Sequence, residues 1–304
     1  MSVASDALAT AGRVDKLRRY MAEQVLGPSG NCVCRRLGSC QRAVLFDGRG
    51  VRRPEVEFAA GQLSHVGRHY DLTLDGVPIR ILVIAMDTAR LRESVTLEQR
   101  HAEVMESARL PFNSRNPHMQ GVASALRLAV GRETGSDRAG ELLHLDGVRA
   151  PVHLFDAYAM ANMRLCSATV GETMKSLSNP TMSRNCLPHM AATIKTLQPT
   201  LCIVQGVEVY KTITALMTSR RQLAPHLEHA RLAGVDMLVA AFTHPSARGI
   251  HRWGRLTGVP YLYETVVPAL WAAHRLMAGR SDAAGNATVQ QQRRPAVTNR
   301  QPPG

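Results

Sequence analysis

Three cysteines that lie far apart in the sequence could meet in the fold: Cys40, Cys166 and Cys186. Thiolate sulfur is a soft ligand that favours zinc and iron–sulfur centres. In a reducing compartment, cysteines act as buried apolar residues, metal ligands or redox groups rather than as disulfides. We therefore predict a cluster site for these three, and a core position for Cys202, which lies inside an apolar run.

A carboxylate, an amide and an imidazole follow three of the apolar runs. They belong to Asp87, Asn162 and His244, and Ser246 and Arg248 follow in the loop of His244. Because neighbouring parallel strands open onto one crevice at their carboxyl ends, Asp87 and His244 would form an acid/base or electrostatic pair there. Asn162 could read the edge of a base. The simpler alternatives are that Asp87 caps a helix, that Asn162 caps a turn, and that His244 is a loop histidine hydrogen-bonded to the backbone.

The chain is strongly basic. Its 304 residues include 37 Lys and Arg against 24 Asp and Glu, which gives a formal charge of +13. This excess is typical of proteins that bind a polyanion, so DNA is the expected partner, although Arg-rich proteomes also produce basic surfaces. Aromatic residues make up only 4% of the chain, which disfavours an RNA-binding module built on stacking platforms.

The sequence also argues against some locations and ligands. It has no apolar run of about 18 residues and no basic region followed by an apolar one at its start, so we expect a cytoplasmic protein without membrane association. No phosphate-cradling glycine loop follows the first strand, so no nucleotide cofactor is expected. A monomer is the default expectation.

Strand and helix patterns alternate along most of the chain. A hairpin with its turn at Asp75-Gly76 is predicted within 68–85, and further strands are predicted at 152–158, 200–205 and 236–242. Helices are predicted at 12–26, 96–109, 119–131, 184–197, 207–219 and 221–232. This alternation indicates an α/β fold, specifically a three-layer α/β/α sandwich around a mostly parallel four-stranded sheet, with an additional N-terminal helix and hairpin.

Three regions are expected along the chain. Residues 1–30 form an N-terminal helical extension, 31–278 form the α/β domain, and 279–304 form a disordered tail because they contain almost nothing apolar to bury.

Four segments occur in an order that has a parallel in a known family. They are Ala85-Met-Asp87-Thr-Ala after the first strand, Asn162-Met-Arg-Leu-Cys166, Asn185-Cys186-Leu-Pro, and His244-Pro-Ser246. Together they resemble the uracil-DNA glycosylase superfamily, whose corresponding motifs include G-Q-D-P-Y, T-N-V-V-K-C, A-C-R-P-F-L and H-P-S. The cysteines resemble those of its iron–sulfur branch. The resemblance spans roughly 30 to 265.

The chain departs from the family pattern in three places. The motif at Asp87 lacks the usual first Gly and the Pro. In the segment that resembles G-R-P-F-V-G, His118 replaces the aromatic residue that stacks on the flipped base. Cys32, Cys34 and Cys40 compete for the two places of the family's amino-terminal cysteine pair, and we favour Cys34 and Cys40.

The resemblance implies a DNA glycosylase that flips uracil or a related pyrimidine out of DNA and hydrolyses its N-glycosidic bond. Asp87 would orient a water or stabilise the cationic sugar, and His244 would stabilise negative charge on the departing base. Asn162 would read the base edge and His118 would stack on it. At the phosphates, the loop would contribute Ser246, Arg248 and Arg252.

The resemblance also implies a structural [4Fe–4S] cluster. Its ligands would be Cys34, Cys40, Cys166 and Cys186, and Cys32 could replace Cys34.

Two other functions stay open. The substituted pocket at His118 also suits a glycosylase that removes a bulky modified base from phage DNA as a defence enzyme. A DNA-binding protein of the same fold that has lost catalysis is the other alternative, although the presence of both Asp87 and His244 speaks against it.

Overall fold

A mixed α/β fold is built on one large sheet in the computed structural model, which describes residues 2–88, 94–171, 176–177 and 179–279. The helices in these residues are α1 (Ala7–Gln24), α2 (Leu37–Leu45), α3 (Leu97–Arg109), α4 (Pro117–Ala129), α5 (Pro180–Leu197), α6 (Val207–Ile213) and α7 (Val267–Met277). The strands are β1 (Val3–Ser5), β2 (Val56–Ala60), β3 (His65–Val66), β4 (Leu72–Leu74), β5 (Val77–Ile79), β6 (Ile81–Ala85), β7 (Leu142–Leu143), β8 (Val152–His153), β9 (Ala159–Asn162), β10 (Cys166–Val170), β11 (Leu201–Gln205), β12 (Met217–Ala224), β13 (Leu227–Leu232) and β14 (Val235–Phe242).

The main sheet has seven strands in the order β12-β13-β14-β11-β6-β9-β3. Its four central strands, β14, β11, β6 and β9, are parallel, and the outer strands join them antiparallel. The predicted α/β class and the parallel centre of the sheet are confirmed. The sheet is predicted to have four strands, but it has three more, β12, β13 and β3, which are antiparallel. The extra strands extend the sheet on both sides of the region that carries the candidate site.

The helix predicted at 207–219 is confirmed over most of its length, as α6 followed by a 3-10 turn at Thr214–Leu216. The helix predicted at 221–232 is wrong, because β12 and β13 form a hairpin there. Pro225 stands at the turn, where it would interrupt a helix, and His226 adopts a positive φ of 62°. In β13 the buried and exposed residues alternate with period two, which is the pattern of a strand.

The predicted hairpin at Asp75-Gly76 is confirmed, since β4 and β5 pair across this turn and both turn residues have positive φ. The chain then changes sheet at Arg80 and enters the central strand β6. Of the strand predicted at 152–158, only Val152–His153 is a strand, β8, and it pairs with β7 outside the main sheet. The strand of the main sheet follows as β9, so Asn162 is the last residue of its strand rather than a residue beyond it.

Both faces of the sheet are apolar. Ile81 and Val83 of β6 point into one cluster, which contains residues of α4 and α7. Leu82 and Ile84 point into the other, which contains residues of α1, α5 and α6. Such alternation is expected of a central strand that is covered on both sides.

The N-terminal helix α1 packs against α5 and buries Leu17 and Met21 in the second of these clusters. The tail from 280 onward lies outside the described residues. Among the helices of the described ranges, none has the length and hydropathy needed to cross a bilayer.

Candidate functional site

Five cysteines converge between the amino-terminal loop, α2, β10 and α5. Cys40, Cys166 and Cys186 are buried, whereas Cys32 and Cys34 are partly exposed. Burial raises the pKa of the Cys166 thiol, and the nearby thiols of Cys186, Cys32 and Cys40 raise it further. Cys34 and Cys40 act in the same way on Cys186, whose pKa burial raises to about 12. Each of the five thiols therefore interacts electrostatically with some, though not all, of the others.

Hydrogen-bond donors point at several of these sulfur atoms. Asn185 donates from Nδ2 to Cys40 Sγ at 3.3 Å, and the Leu165 N–H donates to Cys186 Sγ at 3.5 Å. Such donors stabilise thiolates, and they tune sulfur ligands in metal centres. His189 Nε2 lies 3.5 Å from Cys34 Sγ. Soft donors with N–H partners in an apolar setting are the chemistry that an iron–sulfur group requires.

The spacing of these ligands differs from that of a single-ion site. Within the described ranges, no group of three or more His, Cys, Asp or Glu side chains is placed to hold one metal ion. A single zinc ion draws its four ligands to about 2.3 Å from one centre. The thiols of the described residues are not gathered in this way.

Cys202 lies outside this group. It is fully buried in β11 among apolar residues, in agreement with the predicted core role.

Asp87 lies just past β6 and forms a buried ion pair. Its Oδ2 atom is 2.7 Å from Arg164 Nη2 and accepts a hydrogen bond from Ser176 Oγ at 2.6 Å. Burial raises the pKa of Asp87, whereas Arg164 and Ser176 oppose that rise. Both contacts use Oδ2, and no described residue hydrogen-bonds to Oδ1.

Asn162 ends β9 beside Ala85, the last residue of β6. Its neighbour on the same strand face, Met160, belongs to the apolar cluster on the α4 side of the sheet. Because alternate strand residues share a face, the Asn162 amide points to this side as well. The residue is 5% exposed.

His118 and His244 stack on each other at the same side of the sheet. Their ring centroids are 5.3 Å apart with planes 11° from parallel. His118 Nε2 also lies 3.5 Å from Met160 Sδ, which places the pair against β9. The structure thus brings His118 and His244 together, on the side of the sheet to which the Asn162 position also faces.

Both imidazoles are held in the neutral form. Burial, together with the neighbouring His244, lowers the pKa of His118 to about 3. Burial also lowers the pKa of His244. The Ser246 N–H donates to His244 Nδ1 at 3.1 Å, so the proton of the neutral ring is on Nε2. His244 can therefore donate a hydrogen bond from Nε2 without carrying a charge.

Two glycines allow α4 to approach the His244 loop closely. A Cβ atom added to Gly121, one turn after His118, would lie 2.6 Å from Pro245 Cβ. One added to Gly254 would lie 1.9 Å from the Pro117 carbonyl oxygen. Any larger residue at either position would push the two histidine-bearing segments apart.

The loop after His244 presents polar and apolar groups to the surface. Ser246 and Arg248, the residues predicted to meet phosphates, are exposed. Ile250 is 67% exposed in the same loop. A large apolar side chain in this position suits insertion between stacked bases.

The sequence predicts that Asp87 and His244 follow adjacent strands, but the structure shows that they do not. Strand β11 lies between β6 and β14. It ends in Gln205, a fully buried residue whose side-chain oxygen and nitrogen both lack a hydrogen-bond partner within the described residues. Sequence reasoning missed this residue, and the only available signal was a polar side chain at the end of an otherwise apolar strand.

Comparison of the sequence with protein-family models and with curated proteins finds no match. The case for a function therefore depends on the motifs and on the geometry of the site.

Proposed function

We propose that the protein is a DNA glycosylase of the uracil-DNA glycosylase type, with the three-layer α/β/α arrangement of that superfamily. The observation that carries the proposal is the neutral His118–His244 stack, which contacts Met160 two residues before the buried Asn162 on the same strand face. These three groups offer a planar surface, a donor and an amide edge, which a flipped pyrimidine requires.

The chemistry follows from the protonation of His244. As the N-glycosidic bond breaks, negative charge grows on the base. The neutral His244 ring can donate a hydrogen bond from Nε2–H to this charge. A preorganised donor of this kind contributes about 3–4 kcal/mol in other enzymes. Asp87, paired with Arg164, orients a water through Oδ1 or stabilises the cationic sugar.

The loop of His244 supplies the DNA contacts. Arg248 and Ser246 meet phosphates beside the flipped nucleotide, and Arg252 follows them in the loop. Ile250 fills the gap that the base leaves in the stack. The formal charge of +13 favours this partner.

We further propose that Cys34, Cys40, Cys166 and Cys186 hold a [4Fe–4S] cluster, with Cys32 as the alternative to Cys34. Its role is structural: it ties the amino-terminal loop and α2 to β10 and α5. The purified protein should contain iron and sulfide and absorb near roughly 400 nm. Cys166→Ala should abolish the absorbance, Cys202→Ala should retain it, and a wild-type protein free of iron would refute the cluster.

The activity is tested by scoring abasic sites. Purified protein is incubated with single- and double-stranded DNA that carries uracil, with unmodified DNA, and with phage DNA that carries modified cytosines. His244→Leu should lose about 100-fold or more in rate, as when an oxyanion donor is removed. His229→Leu, an exposed position on β13, is the matched control. Absence of abasic sites on every DNA would refute the proposal.

The two alternatives have particular observations behind them. His118 Nδ1 has no hydrogen-bond partner among the described residues, so it could bind a substituent on a modified base. Cleavage of the modified phage DNA alone would identify that substrate. The ion pair of Asp87 with Arg164 favours a binding protein in which Asp87 is structural. Tight DNA binding without abasic sites would support that reading.

A further inference from the structure

A cavity lies between the β12–β13 hairpin, α6 and the end of β14, next to the loop of His244. Its volume is about 580 Å³, within the range of small-ligand sites. The wall includes Thr243, which directly precedes His244, and His251 from the same loop. The described residues that line the cavity include Val239, Ala241 and Phe242 of β14 but not His118, His244 or Asn162, so the cavity is distinct from the proposed catalytic crevice.

Planar rings line the cavity. Tyr261 stands edge-on to His226 and to His251, with ring centroids 6.2 Å and 5.3 Å away. His226 in turn stacks over Phe242 at 6.3 Å. Aromatic and imidazole rings that surround an opening are suited to a flat heteroaromatic ligand.

Two side chains of the wall offer hydrogen-bond acceptors. Glu228 is buried, and its Oε1 accepts from the Tyr210 hydroxyl at 2.8 Å, which leaves Oε2 as an acceptor. Gln222 Nε2 donates to the carbonyls of Ala224 and Leu227, which leaves its Oε1 as a second acceptor.

His226 adds a third acceptor. Its Nδ1 lies 3.1 Å from the Ala241 carbonyl oxygen, which can only accept, so the proton of the neutral ring is on Nδ1 and Nε2 accepts. The Tyr261 hydroxyl accepts from the Thr243 N–H at 3.2 Å and keeps its own proton to donate. A ligand that offers an amino group beside a ring nitrogen acceptor matches this set.

The charges around the cavity also point to a base rather than a phosphate. A buried carboxylate such as Glu228 repels an anion inside the cavity. Outside it, the exposed strand β12 carries Arg220 and Arg221, which can hold a phosphate backbone. The β12–β13 hairpin therefore provides both a wall for a base and a contact for its backbone.

We propose that this cavity binds an unpaired nucleobase with an exocyclic amino group, cytosine or adenine, from the DNA strand that crosses the His244 loop. This inference rests on the proposed function only in taking DNA as the ligand. Cytosine and adenine each present an amino donor next to a ring nitrogen, whereas thymine presents a carbonyl at that position.

Fluorescence anisotropy with labelled single-stranded oligonucleotides tests the proposal without any cleavage. Wild-type protein should bind an oligo-dC strand about tenfold more tightly than an oligo-dT strand of equal length. In Glu228→Gln the preference should fall to near unity, because the new amide can donate to thymine. Glu208→Gln, an exposed carboxylate on α6, should retain the wild-type ratio.

A second pair of variants tests the rings. Tyr261→Leu should weaken binding of both strands about tenfold, and Tyr263→Leu, half-exposed two residues later, should not. Equal affinity of the wild type for dC and dT, or an unchanged ratio in a folded Glu228→Gln, would overturn the proposal. Because the wild-type comparison needs no variant, loss of folding in a mutant does not obscure the result.

The outcome is separable from that of the abasic-site assay. A preference for dC without release of any base would support the proposed base-binding cavity and refute the glycosylase function. Release of uracil with equal binding of dC and dT would support the glycosylase function and refute the base-binding cavity.

Discussion

Substitution of Gly121 by alanine is the most direct test of how the site is assembled. The added Cβ would lie 2.6 Å from Pro245 Cβ and 3.1 Å from Trp253 Cζ3. Carbon atoms in contact prefer about 3.5–4.0 Å, so the helix and the loop must separate by about 1 Å. Both neighbours are buried, and Trp253 is fully so. The strain cannot be relieved by moving a flexible side-chain end.

The expected cost has two components. Overpacking of this kind destabilises by about 1–3 kcal/mol, while replacing a helical glycine by alanine contributes roughly 0.5–1 kcal/mol in the opposite direction. Gly12→Ala in α1 isolates the second component, because nothing lies within 4 Å of its added Cβ. The difference between the two variants in free energy of unfolding therefore measures the clash alone.

The same displacement should reach the chemistry. His118 stands one turn before Gly121 and stacks on His244, so a shift of about 1 Å between them should reduce base release about 100-fold. Urea unfolding and the abasic-site assay are run on both variants. If Gly121→Ala is as stable and as active as Gly12→Ala, the close approach of α4 to the loop is not what positions the two histidines.

Three further outcomes are expected. The pKa of His118, like that of His65, is about 3 in the folded protein against about 6.5 in the unfolded chain. The stability contributed by the neutral rings should therefore be complete above pH 6.5 and fall as the pH drops toward 3. In His118→Gln the urea midpoint should depend less on pH, whereas His229→Gln should retain the wild-type dependence. Gln205→Met should stabilise the fold by about 1 kcal/mol or more, because it removes two buried polar atoms that have no hydrogen-bond partner among the described residues. A simultaneous fall in base release would assign Gln205 to the site. An unchanged melting temperature would contradict the burial argument. Ile250→Ala should weaken duplex binding and base release while leaving the melting temperature unchanged, and unaltered release from duplex DNA would exclude a wedge role.

Local chemistry accounts for the parts of the fold that the sequence predicts well. The turn at Asp75-Gly76 needs two residues that tolerate positive φ, and the chain supplies them consecutively. The central strand β6 is apolar on both faces and could be recognised from its composition. Helix α3 has its cap at Thr96 and a reciprocal bond from Gln99, which fixes its start.

Tertiary partners decide the parts that the sequence did not predict. The hairpin β12–β13 contains residues with adequate helix propensity, and it becomes a strand pair because β14 offers an open edge. The pairing of Asp87 with Arg164 joins residues that no periodicity links, since the two loops meet only when β6 and β9 lie side by side. The stack of His118 on His244 likewise depends on glycines at two distant positions.

The short segment 162–166 connects the cysteine group to the proposed catalytic crevice. Asn162 supplies the amide at the crevice, Arg164 pairs with Asp87, and Cys166 joins the thiols. The Met163 and Arg164 N–H groups donate to the carbonyls of Ala85 and Met86, at the end of β6. Because both ends of the segment are fixed within five residues, whatever secures Cys166 also sets the position of the amide and of the counter-ion of Asp87. A cluster bound there would therefore support the reaction by holding this segment in place, without exchanging electrons with the substrate.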